Sequence, residues 1–210
     1  MLSLAELSLP RVLEALAEAT PTPGGGTASA LAGATAAALV EMVCGLTIGR
    51  ERFAAVQEEV HRARERAMTL RARLMALAEE DAAAFGALSA AYRLPKGTDE
   101  ERAARAEAIQ QALRAATEVP LRTAEAAAEV ARLACLLVEK GNPNAASDAG
   151  VAALLAEAAA QGASLNVRTN LQGVREAEFA HRAREYVAAL TAGASSARAA
   201  ALETLAGRRM

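Results

Sequence analysis

Aromatic side chains are nearly missing from this sequence, which has no Trp, two Tyr and three Phe among 210 residues. Sheets draw on aromatic and β-branched residues, whereas 59 Ala, with many Leu, Arg and Glu, favour helix. That argues against a sandwich, a barrel or a sheet-rich α/β fold. A surplus of charge is missing too. The formal net charge of -2 lacks the basic excess of a general nucleic-acid binder, and 53% hydrophobic residues are too many for a disordered chain. Cysteine is scarce: Cys44 and Cys135 sit in helix-like stretches without metal-ligand spacing and read as reduced, buried thiols of a cytoplasmic protein. Two histidines, His61 and His181, lie in charged helical stretches with no second ligand nearby, so both read as solvated and no metal site is expected. There is no nucleophile elbow and no Cys/His pairing. Met1 to Thr20 carries acidic residues and no apolar block of signal-peptide length. The stretch nearest to a membrane span, Ala28 to Ile48, has Glu41 as its only charge, but most of its bulk is Ala, Gly, Ser and Thr. Glu41 at mid-bilayer would cost about 2–3 kcal/mol, so the run reads as a buried helix of a soluble protein, not a membrane span.

What is present is helix punctuated by breakers. Ser3-Leu-Ala-Glu6 has capping-box form, and Pro10 suits the first turn of a helix to about Ala19. Thr20 to Gly26 is a Pro/Gly loop, followed by a helix from about Gly26 to Ile48. Charged, heptad-like sequence from Phe53 to Tyr92 predicts one long amphipathic helix, with a kink allowed, broken at Leu94-Pro-Lys-Gly97. Thr98-Asp-Glu-Glu101 is a second capping box and opens a helix to about Thr117. Pro120 opens or kinks the next one, which ends at Gly141. Asn142 to Ser147 predicts a turn, with Ser147 as N-cap of a helix to Gln161. Gly162 closes that helix, and Asn166 onward is mostly helical again. The expectation is a single all-α domain over residues 1–210, a bundle of long antiparallel helices. Small residues recur every four positions along the Ala-rich helix, at Gly25, Ser29, Gly33, Ala37, Gly45 and Gly49, with Glu41 in the same row. Such a row permits close helix packing and predicts a dimer seam, or else room for a ligand.

Several residues are placed to do chemistry. Pro23-Gly24-Gly25-Gly26 leads into a helix N-terminus, where unpaired N–H groups attract an anion or a polar oxygen. The ending is not that of a P-loop. Asp81 falls in phase with the stripe of Leu70, Leu74, Leu77, Ala84 and Leu88, whereas Glu79 and Glu80 do not. A carboxylate there needs a partner or takes a raised pKa suited to proton transfer; the plainer reading is a rim Asp paired with an Arg. Asn142-Pro-Asn-Ala-Ala-Ser-Asp148 forms a polar cluster that helix capping alone would explain. Asn166 and Asn170, four apart, share a helical face, and such amides suit the donor–acceptor edge of a heterocycle such as a pterin. Lys96, one of two lysines against 21 Arg, stands in the break after the Asp81 helix and could reach an anion.

Taken in order, Pro21-Thr-Pro-Gly-Gly-Gly-Thr-Ala-Ser-Ala-Leu31, Glu41-Met-Val-Cys-Gly-Leu-Thr47, Asp81-Ala-Ala-Ala-Phe85 and Arg93-Leu-Pro-Lys-Gly-Thr98 resemble one family. Val119-Pro-Leu121, Gly141-Asn142, Ser147-Asp148 and Asn166-Val-Arg-Thr-Asn-Leu171 continue the series. The sequence resembles the cyclodeaminase domain of formiminotransferase-cyclodeaminase and its free-standing relatives, which include methenyltetrahydrofolate cyclohydrolases. The resemblance implies an all-α homodimer acting on tetrahydrofolate-bound one-carbon units, with no metal and no cofactor beyond that substrate; from charge and composition, neither nucleic acid nor membrane is expected as a partner. One reaction closes 5-formiminotetrahydrofolate to the 5,10-methenyl form and releases ammonia. The other interconverts the methenyl and 10-formyl forms with water. Both pass through a tetrahedral carbon bridging N5 and N10. Asp81 or Asp148 is expected to move the proton, and Pro23, Gly24, Gly25, Gly26, Lys96, Asn142, Asn166 and Asn170 are expected to hold the folate. Glu41 is a minor candidate. The competing reading is a non-catalytic helical scaffold, which has no reason to place Asp81 on an apolar stripe.

Overall fold

The computed structural model describes residues 4–208, and the expected capping box at Ser3 lies outside them. Among the described residues every regular element is a helix. A short helix α1 (Leu9–Ala17) precedes five long ones: α2 (Gly25–Thr47), α3 (Gln57–Tyr92), α4 (Asp99–Lys140), α5 (Ala146–Leu171) and α6 (Ala177–Gly207). At 1.5 Å per residue, α4 alone is about 60 Å long.

Cross-links between helices give the direction of each. Glu59, Arg66, Arg73 and Glu80 on α3 pair with Lys140, Glu129, Glu125 and Arg122 on α4, so α3 and α4 run antiparallel. The four α3 residues stand seven apart, the spacing of a seam between two long helices. Thr27 meets Asp81 and Glu41 meets Arg71, which makes α2 antiparallel to α3. Glu157 holds Ser195 and Arg198, and Gly150 meets Leu205, so α5 opposes α6. Arg114 pairs with Glu176 and Glu125 accepts from Tyr186, placing α6 parallel to α4. One core of Ala, Val and Leu is drawn from α2 through α6, with Val40, Leu70, Leu74 and Leu137 wholly enclosed. Alanine as the commonest core residue lets helices approach closely, which explains why so few aromatics are needed to fill it.

The capping box at Thr98 forms as the sequence predicts: Glu101 N–H donates to Thr98 Oγ1 and the Glu101 carboxylate accepts from Thr98 N–H. The long charged helix starts later than Phe53. Residues Glu51–Val56 form a 3-10 turn with non-helical backbone at Phe53, and α3 proper begins at Gln57.

Three expected breaks are corrected. Pro120 does not divide its helix, because α4 runs through it unbroken; the carbonyl of Ala116, which loses its N–H partner to the proline, accepts instead from Asn170 Nδ2 at 2.7 Å. Gly162 does not end a helix. It sits inside α5, where a Cβ would lie 2.3 Å from Ser29 Oγ of α2, so the missing methyl marks a close crossing of the two helices. Ser147 is not an N-cap either: a 3-10 turn, Pro143–Ala145, carries the chain into α5, which starts at Ala146, and Asn142 caps that turn by accepting from Asn144 N–H. The chain turns back between Leu171 and Ala177, within the stretch expected to be mostly helical.

The row of small residues gives the close helix packing it permits, within this chain and over its middle only. A step of four overshoots a helical turn by about 40°, so the row winds around α2. Gly25 starts it exposed, Ser29, Gly33 and Ala37 pass inside against the same chain, and Gly45 and Gly49 emerge exposed. Glu41 is held by Arg71 of α3. Helix α2 is the one described helix long and apolar enough to cross a membrane (mean hydropathy 1.6), and 50% of its apolar window is buried in the bundle. Cys44 is enclosed, with burial pushing its thiol up to about 12, whereas Cys135 is only half-buried. Both histidines are exposed.

Candidate functional site

One end of the bundle holds a cleft of about 190 Å3 where the loop before α2, the start of α2, the later turns of α3 and the end of α5 converge. Its lining comprises Pro21, Thr22, Gly24, Gly25, Gly26, Asp81, Ala84, Phe85, Leu88, Ala116, Asn166, Thr169 and Asn170.

The start of α2 explains why Asp81 is there. Gly24 occupies the N-cap position and has no side chain to satisfy the first N–H groups of the helix. The cap comes from α3. Asp81 Oδ2 accepts from Thr27 Oγ1 at 3.0 Å, and its carboxylate lies so close to the α2 backbone that a Cβ on Gly26 would sit 2.1 Å from Oδ1. Only glycine allows that approach. Burial raises the Asp81 carboxyl above its ordinary value, and the Thr27 hydroxyl and backbone N–H, pulling the other way, offset only part of the rise. A half-buried carboxyl whose pKa is raised by burial, in a cleft and held by a helix end, is equipped to exchange a proton.

The two asparagines on α5 are oriented by their amide nitrogens. Asn166 Nδ2 donates to Gly162 O at 3.0 Å and Asn170 Nδ2 to Ala116 O at 2.7 Å. A carbonyl can only accept, so each side chain commits its NH2 group and leaves Oδ1 unpaired among the described residues. Thr169 Oγ1 donates to Leu165 O, and Thr22 Oγ1 is buried without a partner among the described residues. The polar wall is thus rich in acceptors: a carboxyl, two amide oxygens and hydroxyls. The apolar part of the lining is Ala84, Phe85 and Leu88, on the same helix as Asp81, with Phe85 39% exposed. A flat heterocycle carrying N–H donors along one edge matches this division. The lining offers no His or Cys, and no group of three His, Cys, Asp or Glu residues able to hold a metal exists among the described residues.

Of the residues singled out in the sequence, Gly24, Gly25, Gly26, Asp81, Asn166 and Asn170 come together here. Pro23 is in the same loop, after a cis Thr22–Pro23 peptide, but is not part of the wall. Lys96 is exposed in the turn between α3 and α4, at this end of the bundle but outside the cleft. Asn142 and Asp148 are at the opposite end of the bundle and do not line this cleft. Asn142 is locked beside the C-terminus of α2, donating to Thr47 Oγ1 and Leu46 O and accepting from Arg52. Asp148 stands in the first turn of α5, about 27 Å of helix before Asn166, where it serves the helix dipole. Thr22, Thr27, Phe85, Ala116 and Thr169 were missed. Thr22, Thr27, Phe85 and Thr169 are within quoted motifs, but nothing in the linear sequence shows that Thr27 faces a residue 54 positions away.

A family model described as formiminotransferase-cyclodeaminase matches residues 8–189. A methenyltetrahydrofolate cyclohydrolase from Methylorubrum extorquens is 45% identical over 92% of this chain and 93% of its own length. The formimidoyltransferase-cyclodeaminase of Rattus norvegicus is 34% identical over 99% of this chain, which spans only 38% of that protein. Among solved structures, a formiminotetrahydrofolate cyclodeaminase from Thermotoga maritima superposes with a TM-score of 0.87 at 31% identity, covering 97% of this chain and 98% of that one.

Proposed function

This chain belongs to the formiminotransferase-cyclodeaminase family, and on that footing we propose that it is a folate one-carbon enzyme acting on the C–N bonds at N5 and N10 of tetrahydrofolate. The reading favoured is methenyltetrahydrofolate cyclohydrolase, since the 45% identical relative of that name matches this chain over nearly its own full length. The observation that carries the chemistry is the Asp81 carboxyl, half-buried in the cleft and held by Thr27. Its carboxylate takes a proton from water as the water oxygen bonds to the methenyl carbon. The resulting tetrahedral carbon then releases N5, which gains the proton that leaves the new hydroxyl, and 10-formyltetrahydrofolate forms with one proton passed to solvent. Cyclodeamination is the second reading, favoured by the similarity to the Thermotoga maritima structure. There N10 attacks the formimino carbon, the N10 proton passes to the imino nitrogen, and Asp81 in its neutral form gives that nitrogen a further proton as it leaves as ammonia and the methenyl cation forms. The raised Asp81 pKa serves either direction, as a stronger base or as an available acid.

In this proposal Asn166 and Asn170 accept from the N–H edge of the pterin, Phe85 packs on its face, and the Gly24–Gly26 turn and Lys96 meet polar and anionic parts of the folate. No metal takes part. A single helical domain acts as a cytoplasmic homodimer that binds this small molecule and neither nucleic acid nor membrane. What supports the dimer is the outer face of α2: Ala28, Leu31, Thr35, Ala38, Met42 and Gly45, at steps of three and four, form an uncharged stripe that its own chain leaves half or fully exposed. A scaffold without catalysis does not account for the family or the cleft. The deciding experiment follows methenyltetrahydrofolate absorbance with 10-formyl- and formiminotetrahydrofolate supplied separately. Turnover of neither refutes the reading.

A further inference from the structure

We propose that Pro120 is a positioning residue: by withholding a backbone N–H from the Ala116 carbonyl it frees that oxygen to fix the Asn170 amide, so that Asn170 presents Oδ1 to the substrate. The inference rests on the reading of the cleft as a folate site. In an unbroken α-helix the N–H of residue 120 would close onto the carbonyl of residue 116. Proline has no such group, and its ring crowds the same carbonyl. A helix interior therefore carries a proline at the cost of one hydrogen bond, 20 residues before α4 ends. The freed oxygen is not left unpaired. Asn170 reaches it from α5 at 2.7 Å, and both Ala116 and Asn170 line the cleft. The neighbouring Asn166 is oriented differently, by the Gly162 carbonyl of its own helix, so it is independent of Pro120. A proline on one helix thus decides which end of an amide on another faces the ligand. With Ala at position 120 the backbone N–H competes for the Ala116 oxygen, and Asn170 is free to turn its NH2 group toward substrate donors, which it repels.

The test combines Pro120→Ala, Asn170→Ala and the double variant. Pro120→Ala removes a helix breaker, so its fold and melting temperature are expected to hold or improve. The KM for 5,10-methenyltetrahydrofolate is expected to rise about five- to tenfold with kcat within twofold, the worth of one neutral hydrogen bond. Asn170→Ala on the Pro120→Ala background is expected to add less than twofold, because both changes break the same unit. An unchanged KM in Pro120→Ala, or fully additive effects in the double variant, overturns the proposal. A second measurement needs no folate: in 15N spectra the Asn170 side-chain amide signals are expected to move in Pro120→Ala while those of Asn166 stay in place. Unmoved Asn170 signals overturn the proposal. Failure of the wild-type enzyme to turn over any folate would instead refute the functional reading and leave this spectroscopic result to stand alone.

Discussion

Asp81 caps a helix from far along the chain: its Oδ2 accepts at 3.0 Å from the Oγ1 of Thr27, 54 residues earlier, in the first turn of α2. In the proposed function the same atom pair joins stability and catalysis, and substitution separates the two roles.

Asp81→Asn keeps the size and one acceptor for Thr27 but removes the titrating proton. Turnover is expected to fall about 10²–10⁴-fold, the usual worth of general acid–base catalysis. The pH dependence of stability has a definite sign. Burial lifts this carboxyl above its ordinary 3.8, so the wild type loses stability as pH rises through the raised value. Asp81→Asn is expected to match or exceed the wild-type melting temperature at pH 7, with the difference shrinking toward pH 4. A variant that melts lower at pH 7 yet turns over normally would reduce Asp81 to a cap alone.

Gly26→Ala places a methyl 2.1 Å from Asp81 Oδ1. The carboxylate must leave the helix end, so both stability and turnover are expected to drop, stability by about 1–3 kcal/mol, typical of overpacking. Chemical denaturation and the folate assay check the two effects on one preparation.

Dialysis against a chelator is expected to leave activity unchanged, since the cleft wall is built from carboxyl, amide and hydroxyl groups without His or Cys. Loss of activity restored by one divalent ion would refute this.

Met42→Glu, on the exposed stripe of α2, is expected to convert the proposed dimer to monomer in sedimentation at micromolar concentration without unfolding the chain. A wild type that sediments as a monomer would refute the dimer itself.

Helix content and many boundaries were legible because they rest on local chemistry: the Thr98 box and the apolar stripe through Leu70, Leu74 and Leu77 are read within a few turns of chain. The phase of Asp81 and the spacing of Asn166 and Asn170 were legible for the same reason. Pro120 and Gly162 misled because their local meaning, a break, is overridden by partners from other helices, Asn170 for one and Ser29 for the other. Asn142 and Asp148 misled in another way. Sequence order does not say at which end of an antiparallel bundle a turn lands, and theirs lands about 30 Å from the cleft.

The crossing at Gly162 acts as a gauge for the cleft. One turn beyond it on α5, Asn166 faces Gly25 of α2, with the amide nitrogen 3.9 Å from where a Cβ on Gly25 would be. The spacing between these two walls is thus set below the ligand, by an absent methyl group that lets Ser29 seat against α5. Any side chain at position 162 would act as a wedge and spread the walls without touching the substrate, so the aperture of the site is encoded in a residue that never meets what passes through it.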